Sequence, residues 1–203
     1  MKNTGYLLFT TLLIACGGNR QEMQPVAGPD SLTATKSVTV TDTLRPEFNS
    51  LLNAYFSLKD ALVEADSLQA GTLALELQQW ADSVDLSTFS VDSSSGEENP
   101  GILLGNLAAE AKGLAGENTL TEKRRSFSMI SRQLLPLLKQ VSYDGSTVYQ
   151  QTCPMAFNDS ESASWLSRER EIMNPYLGKK HPKYAAGMLH CGELGDSIVA
   201  RPR

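Results

Sequence analysis

Four sulfur-bearing side chains sit in two short stretches, Cys153 and Met155 in QTCPMAF and Met188 and Cys191 in GMLHCGEL. In an extended strand residues i and i+2 point to the same side, and Pro154 biases Cys153 toward extended backbone, so Cys153 and Met155 can present two sulfurs together. Met188 and Cys191, three apart, share a face if their segment makes a helical turn. Two thiolates and two thioethers form a soft donor set that favours Cu(I) over hard ions, with His190 or His181 able to serve as an imidazole ligand. The same cysteines can instead pair as a disulfide in an oxidising compartment, where closing a span of 38 residues stabilises a fold by about 4 kcal/mol in the chain-entropy description. Buried, inert thiols are a third outcome, and methionines at this spacing also serve as core filler. The three alternatives stay open at the level of sequence.

Nucleophilic catalysis would need His190 or His181 to reach one of these thiols with a third group orienting the ring, and His190 and Cys191, as chain neighbours, point apart in most conformations. The sequence carries no G-x-S-x-G, no H-E-x-x-H, no glycine-rich phosphate loop and no paired-carboxylate motif, so no enzyme is expected. A net charge of −5 gives no basic footprint and argues against nucleic acid as a partner. Arg124-Arg125 and Lys179-Lys180 read as solvated basic pairs, and Tyr149, Trp165 and Tyr176 as packing residues.

The chain has 203 residues, 41% of them apolar, enough for one domain of ordinary size with an appendage. It begins MKNTGYLLFTTLLIACGG, with Lys2 ahead of an apolar run too short for a permanent membrane span, which reads as a signal peptide over residues 1–15. Leu13-Ile14-Ala15-Cys16 resembles the lipobox of bacterial lipoproteins, which implies cleavage before Cys16 and its acylation. Three acyl chains, each buried CH₂ contributing about 0.8 kcal/mol, would make the anchor effectively permanent. The expected address is the cell envelope, lipid-anchored to a bacterial membrane and facing the periplasm. With Cys16 used by the lipid, Cys153 and Cys191 remain as an even pair.

Residues 16–44, rich in Gly, Pro, Ser, Thr and Gln, read as a flexible tether, and a coil of about 28 residues has an r.m.s. reach of about 30 Å. A single domain is expected over 45–203. Phe48, Leu51, Leu52, Tyr55, Phe56, Leu58, Leu62 and Val63 recur at helical spacing from Pro46, and Asp66 suits the N-cap of a second helix carrying Leu68, Leu73, Leu75, Leu77, Trp80 and Val84. STFSVDSSSGEENP reads as a loop, GILLGNLAAEAKGLAG as a third helix, and Thr119 to Glu122 as the capping box of a fourth, with Pro136 kinking or tightening its last turn. The expectation is a mainly α fold: an up-down-up-down four-helix bundle with a small irregular C-terminal cap over about 147–203. Within the cap, TVYQQTCPMAF reads as a short strand, SESASWLSREREI as a short helix and NPYLG as a turn.

A resemblance adds to this reading. Val148-Tyr149-Gln150-Gln151, Cys153-Pro154-Met155-Ala156, Trp165-Leu166-Ser167, Ile172, Asn174-Pro175-Tyr176, Gly178, Met188 and Cys191-Gly192 form an ordered series of uncommon residues. The series resembles the signature of the domain-of-unknown-function family numbered 3347. That family consists of bacterial envelope proteins, and its domain also occurs fused to periplasmic adaptor subunits of heavy-metal efflux systems. LLNAYFSLKDALVEAD and RRSFSMIS resemble its helical part, so the likeness runs from about residue 47 to about residue 200. Here KKHPKYAA intervenes where the family passes from NPY-G to M..C within a few residues. The resemblance implies a helical bundle with a Cys/Met-bearing cap and a role in handling copper or a related metal, with an efflux adaptor as partner. The other reading is a non-enzymatic interaction module in which Cys153 and Cys191 form a stapling disulfide.

Overall fold

The computed structural model describes residues 46–89, 98–141 and 146–198; the expected signal peptide, Cys16, the expected tether and most of the acidic serine-rich segment lie outside them. Four helices form in the four segments where helices are expected. α1 spans Pro46–Val63 and ends in a tight turn in which Ala65 adopts positive φ and the Asp66 N–H reaches the Ala61 carbonyl. α2, Ser67–Ser83, is capped by Asp66, whose carboxylate accepts from the Gln69 N–H at 2.9 Å. α3, Pro100–Gly116, starts with Pro100 in its first turn after the cap Asn99. α4, Leu120–Gln140, opens with the reciprocal Thr119–Glu122 capping box and runs on through Pro136 to Gln140. None of the described helices is long and apolar enough to cross a membrane.

Consecutive helices pack side by side. The face α2 buries is not the expected leucine stripe but Ala70, Ala74, Leu77 and Ala81, while Leu68 is 84% exposed and Leu75 is also exposed. Small residues at three- and four-residue spacing let the neighbouring helices close on α2, and one 3.6-residue period cannot hold Leu68, Leu73, Leu75 and Leu77 on a single face.

The C-terminal region corrects the expected fold class. Residues Val148–Phe157 (β1), Glu161–Ser167 (β2) and Glu193–Ile198 (β3) form an antiparallel three-stranded sheet in the order β2-β1-β3. The architecture is four helices plus a sheet, not a bundle with an irregular cap. SESASWLSREREI supplies β2 in place of the expected helix. Asn158 and Asp159 take positive φ and turn the chain, so Ser162-Ala163-Ser164-Trp165 runs back along β1 with the two-residue alternation of a strand.

Helices and sheet share one core, in which Phe48, Tyr55, Leu58, Leu107, Phe127 and Leu134 meet Val148, Trp165, Leu166 and Tyr176. Tyr55 stacks on Phe127 with ring centroids 5.1 Å apart. The Ser131 hydroxyl donates to the Phe127 carbonyl at 2.9 Å, so the Tyr55 hydroxyl donates to Ser131 Oγ at 2.7 Å and accepts from the Leu166 N–H of β2 at 3.0 Å. Burial holds the Tyr55 phenol protonated, well above its ordinary range.

Arg124 also corrects the sequence reading. It is buried, and its Nη2 donates to the Leu62 carbonyl at the end of α1 and to the Leu177 carbonyl of the Asn-Pro-Tyr-Leu turn, at 3.1 and 3.3 Å. Arg125 does lie at the surface, paired with Glu161 and placed over the Phe157 ring. Gly178, at φ +61°, lets the turn approach: a Cβ there would lie 2.5 Å from Arg124 Nη2 and 2.8 Å from the Val63 carbonyl.

Tyr55→Phe leaves the Leu166 N–H unpaired in a dry core. Urea or thermal denaturation should show a loss of about 1–3 kcal/mol with the fold retained, and an unchanged midpoint would mean the hydroxyl bridge contributes nothing.

Candidate functional site

β1 is the central strand, paired to β2 through Cys153↔Ala163 and Gln151↔Trp165 and to β3 through Thr152↔Glu193. Partners directly opposite share a face, so Gln151, Cys153, Ala163 and Trp165 line one side of the sheet. Cys153 and Gln151 are both fully buried. Gln151 spreads its amide N–H groups over the carbonyls of Glu169, Arg170 and Glu171, at 2.9 to 3.3 Å, and so fixes the segment that leaves β2.

The chain then turns at Asn174-Pro175-Tyr176. The Asn174 side-chain oxygen accepts from the Tyr176 and Leu177 N–H groups at 2.8 and 3.0 Å, and the Tyr176 ring lies edge-on to Trp165 with centroids 5.8 Å apart. KKHPKYAA forms an excursion of its own. In it the Tyr184 hydroxyl donates to Asp159, the Lys183 ammonium pairs with the same carboxylate, and His181 stacks on Tyr184. His181 Nδ1 accepts from the N–H groups of Lys183 and Tyr184 at 3.2 and 3.3 Å. Burial, reinforced by the Arg124 charge, lowers its pKa.

The chain returns through a turn at Met188–Cys191, closed by the Cys191 N–H donating to the Met188 carbonyl at 3.0 Å. This is the helical-type turn that the spacing of Met188 and Cys191 requires. Gly192 follows at φ +154°, where a Cβ would lie 3.1 Å from the Trp165 ring and 3.2 Å from the Thr152 carbonyl. The missing side chain thus lets the return strand seat itself against β1.

These elements bring Cys153 Sγ and Cys191 Sγ to 3.2 Å, with both thiols free. Cys153 is sealed within the sheet and Cys191 is half-buried. Burial, and then the neighbouring Cys153, push the Cys191 thiol up to about 11. The Cys191 thiol is therefore neutral near pH 7, in contact with the Cys153 sulfur.

The remaining candidate ligands are placed less closely. β1 is irregular between Cys153 and Phe157, so strict alternation does not carry from Cys153 to Met155; Met155 and Met188 are both half-buried against the core. His190 is exposed and its Nδ1–H donates to the Ile172 carbonyl at 2.8 Å, leaving the Nε2 lone pair unused by that bond. Among the described residues no three His, Cys, Asp or Glu side chains converge as a metal-holding group, so neither His190 nor His181 completes a trio with the two thiols. Gln151, Asn174 and Gly192 enter the sequence reading only as members of the family-like series, with no role given to them at the site. The Asn-Pro pair was a readable turn signal, whereas nothing local marks Gln151.

The site is thus a buried dithiol at the seam of a small sheet, carried by a helical domain. The family model described as Protein of unknown function (DUF3347) matches residues 51–145, which include most of the helical part of the chain. Both cysteines lie beyond the matched residues. No curated protein and no solved structure matches the chain.

Because the thiolate is the reactive form, iodoacetamide should label Cys191 of the reduced native protein slowly at pH 7. The rate should rise about tenfold per pH unit toward pH 11, with Cys153 unlabelled until the protein unfolds. Peptide mass spectrometry reads both sites, and rapid labelling at pH 7 would instead indicate the activated thiolate that a nucleophilic enzyme needs.

Proposed function

We propose that this is a lipid-anchored envelope protein, not an enzyme, whose C-terminal sheet binds the soft ion Cu(I) and buffers it or passes it to a periplasmic efflux adaptor. The observation that carries this reading is the 3.2 Å contact between two free thiols drawn from β1 and from the Met188–Cys191 turn. Metal–thiolate bonds of about 2.3 Å put two sulfurs sharing an ion about 3.7 Å apart at a tetrahedral angle, so the pair needs to open by roughly half an ångström. Cys153 is sealed from solvent while Cys191 is partly open, which gives the ion a way in and a dry seat. Met155 and Met188 stand on the same two segments and are thioethers, the donor type that suits Cu(I) over harder ions. The lipobox at residues 13–16 supports the envelope address, and the matched family agrees with the resemblance from which the efflux connection is drawn.

The same contact favours a second reading, a non-enzymatic interaction module in which the pair is a staple. Oxidation would close a loop of 38 residues that contains β2 and the Asn-Pro-Tyr turn, and Cys153 already belongs to the core.

Anaerobic competition titration of the reduced protein with Cu(I) should give a dissociation constant below about 1 µM, weakened at least tenfold in Cys153→Ser. Binding weaker than micromolar sinks the metal reading. Non-reducing mass spectrometry of protein taken directly from the envelope decides for the staple if every molecule carries the bond.

A further inference from the structure

We infer that Asn174 is the positioning residue of the thiol pair and sets how readily Cys153 and Cys191 interconvert between dithiol and disulfide. Asn174 is fully buried and uses every polar group it has. Its side-chain oxygen and its carbonyl hold the turn that follows, accepting from the N–H groups of Tyr176, Leu177 and Gly178. Its two donors face the other way. The backbone N–H donates to the Leu189 carbonyl at 2.8 Å and the side-chain Nδ2 donates to the Cys191 carbonyl at 2.7 Å. One residue therefore grips the Cys191 turn at two carbonyls while bonded rigidly to its own turn. Gly192 and the pairing of Glu193 with Thr152 hold the far side of Cys191. With the Nδ2 bond removed, the segment carrying Cys191 is fixed only before and after the cysteine, and its sulfur samples positions away from Cys153.

The reaction that reads this placement is exchange with a small disulfide such as oxidised glutathione. The Cys191 thiolate attacks one glutathione sulfur and expels the other as thiolate, giving a mixed disulfide. Cys153 then attacks the Cys191 sulfur, expels the second glutathione and forms the Cys153–Cys191 bond. Two glutathione thiols leave carrying the two protons the protein gave up. The bond occupies both sulfurs, so a soft ion is admitted only to the dithiol. That last consequence rests on the metal reading given above, whereas the positioning role does not.

Asn174→Ser keeps a short acceptor for the Tyr176 turn and lacks a donor that reaches Cys191. Full-length wild type, Asn174→Ser and Leu107→Val, a mild core change in α3, are equilibrated in glutathione redox buffer, quenched with acid and weighed. Asn174→Ser should shift the equilibrium at least about fivefold toward the dithiol, while Leu107→Val stays within about twofold of wild type. A shift below twofold for Asn174→Ser, or an equal shift for Leu107→Val, overturns the assignment. If Asn174→Ser does not fold, hydrogen exchange of the wild-type Asn174 side-chain amide decides: protection about a hundredfold above exposed Asn106 supports the role, and exchange as fast as Asn106 overturns it. Cu(I) titration of the same wild-type sample separates the two ideas. An expected redox shift without Cu(I) binding removes the metal reading alone, and Cu(I) binding without a redox shift removes the positioning role alone.

Discussion

The outer edge of β2 faces the helices, and its N–H and C=O groups have no strand to pair with. In a dry interface each such group costs free energy unless something else bonds it. Two phenols do so: Tyr55 from α1 accepts from the Leu166 N–H, and Tyr176 donates to the Ser164 carbonyl at 2.5 Å. Both rings also pack in the core, Tyr55 against Phe127 and Tyr176 against Phe127, Trp165 and Phe157. Their apolar bodies and polar tips are what allow a sheet to be built into the flank of a helical bundle. Everything in the C-terminal part, including the relative placement of its two sulfurs, depends on that seam being satisfied.

From the seam outward, the pair is constrained on three sides. Its floor is β1, held on both edges by other strands. One wall is the Trp165–Tyr176 contact, and the other is the short return through Gly192, which is close enough to touch Trp165 only because it has no side chain. A thiol pair held this way has little freedom to separate, which suits chemistry that needs both sulfurs at once, and the raised pKa of Cys191 makes any step through its thiolate slow near neutral pH.

The helices were legible where a start signal met a true apolar period: Pro46 at α1, and Thr119 with Glu122 before α4. Where the two signals are separated, reading went astray. In α2 the leucines attract attention, but the alanines between them form the packed face, because close helix approach selects small residues that hydrophobicity counts undervalue. β2 was mistaken for a helix because its turn is Asn-Asp rather than Asn-Gly, and because serines alternate with only two large apolar residues. β3 has no buried stripe to announce it. Its residues are exposed or half-exposed, and it is a strand only because β1 offers it a backbone to pair with. Cys153 and Cys191 could be singled out from residue type, whereas their contact depends on non-local pairing that no window of sequence contains.

Arg124 carries one more consequence. Burial lowers the pKa of its guanidinium to about 10, so it stays charged at neutral pH, balanced in this core by the carbonyl dipoles of Leu62 and Leu177. Those two acceptors come from α1 and from the turn that follows the sheet hairpin. Were the C-terminal region to peel away, half of that solvation would leave with it and a cation would remain in an apolar cleft. Separation is therefore disfavoured at its first step, and the helices and sheet unfold as one cooperative unit. By mass action, any ligand held by the sulfur pair would be felt as added stability at the end of α1 as much as in the strand that carries Cys153.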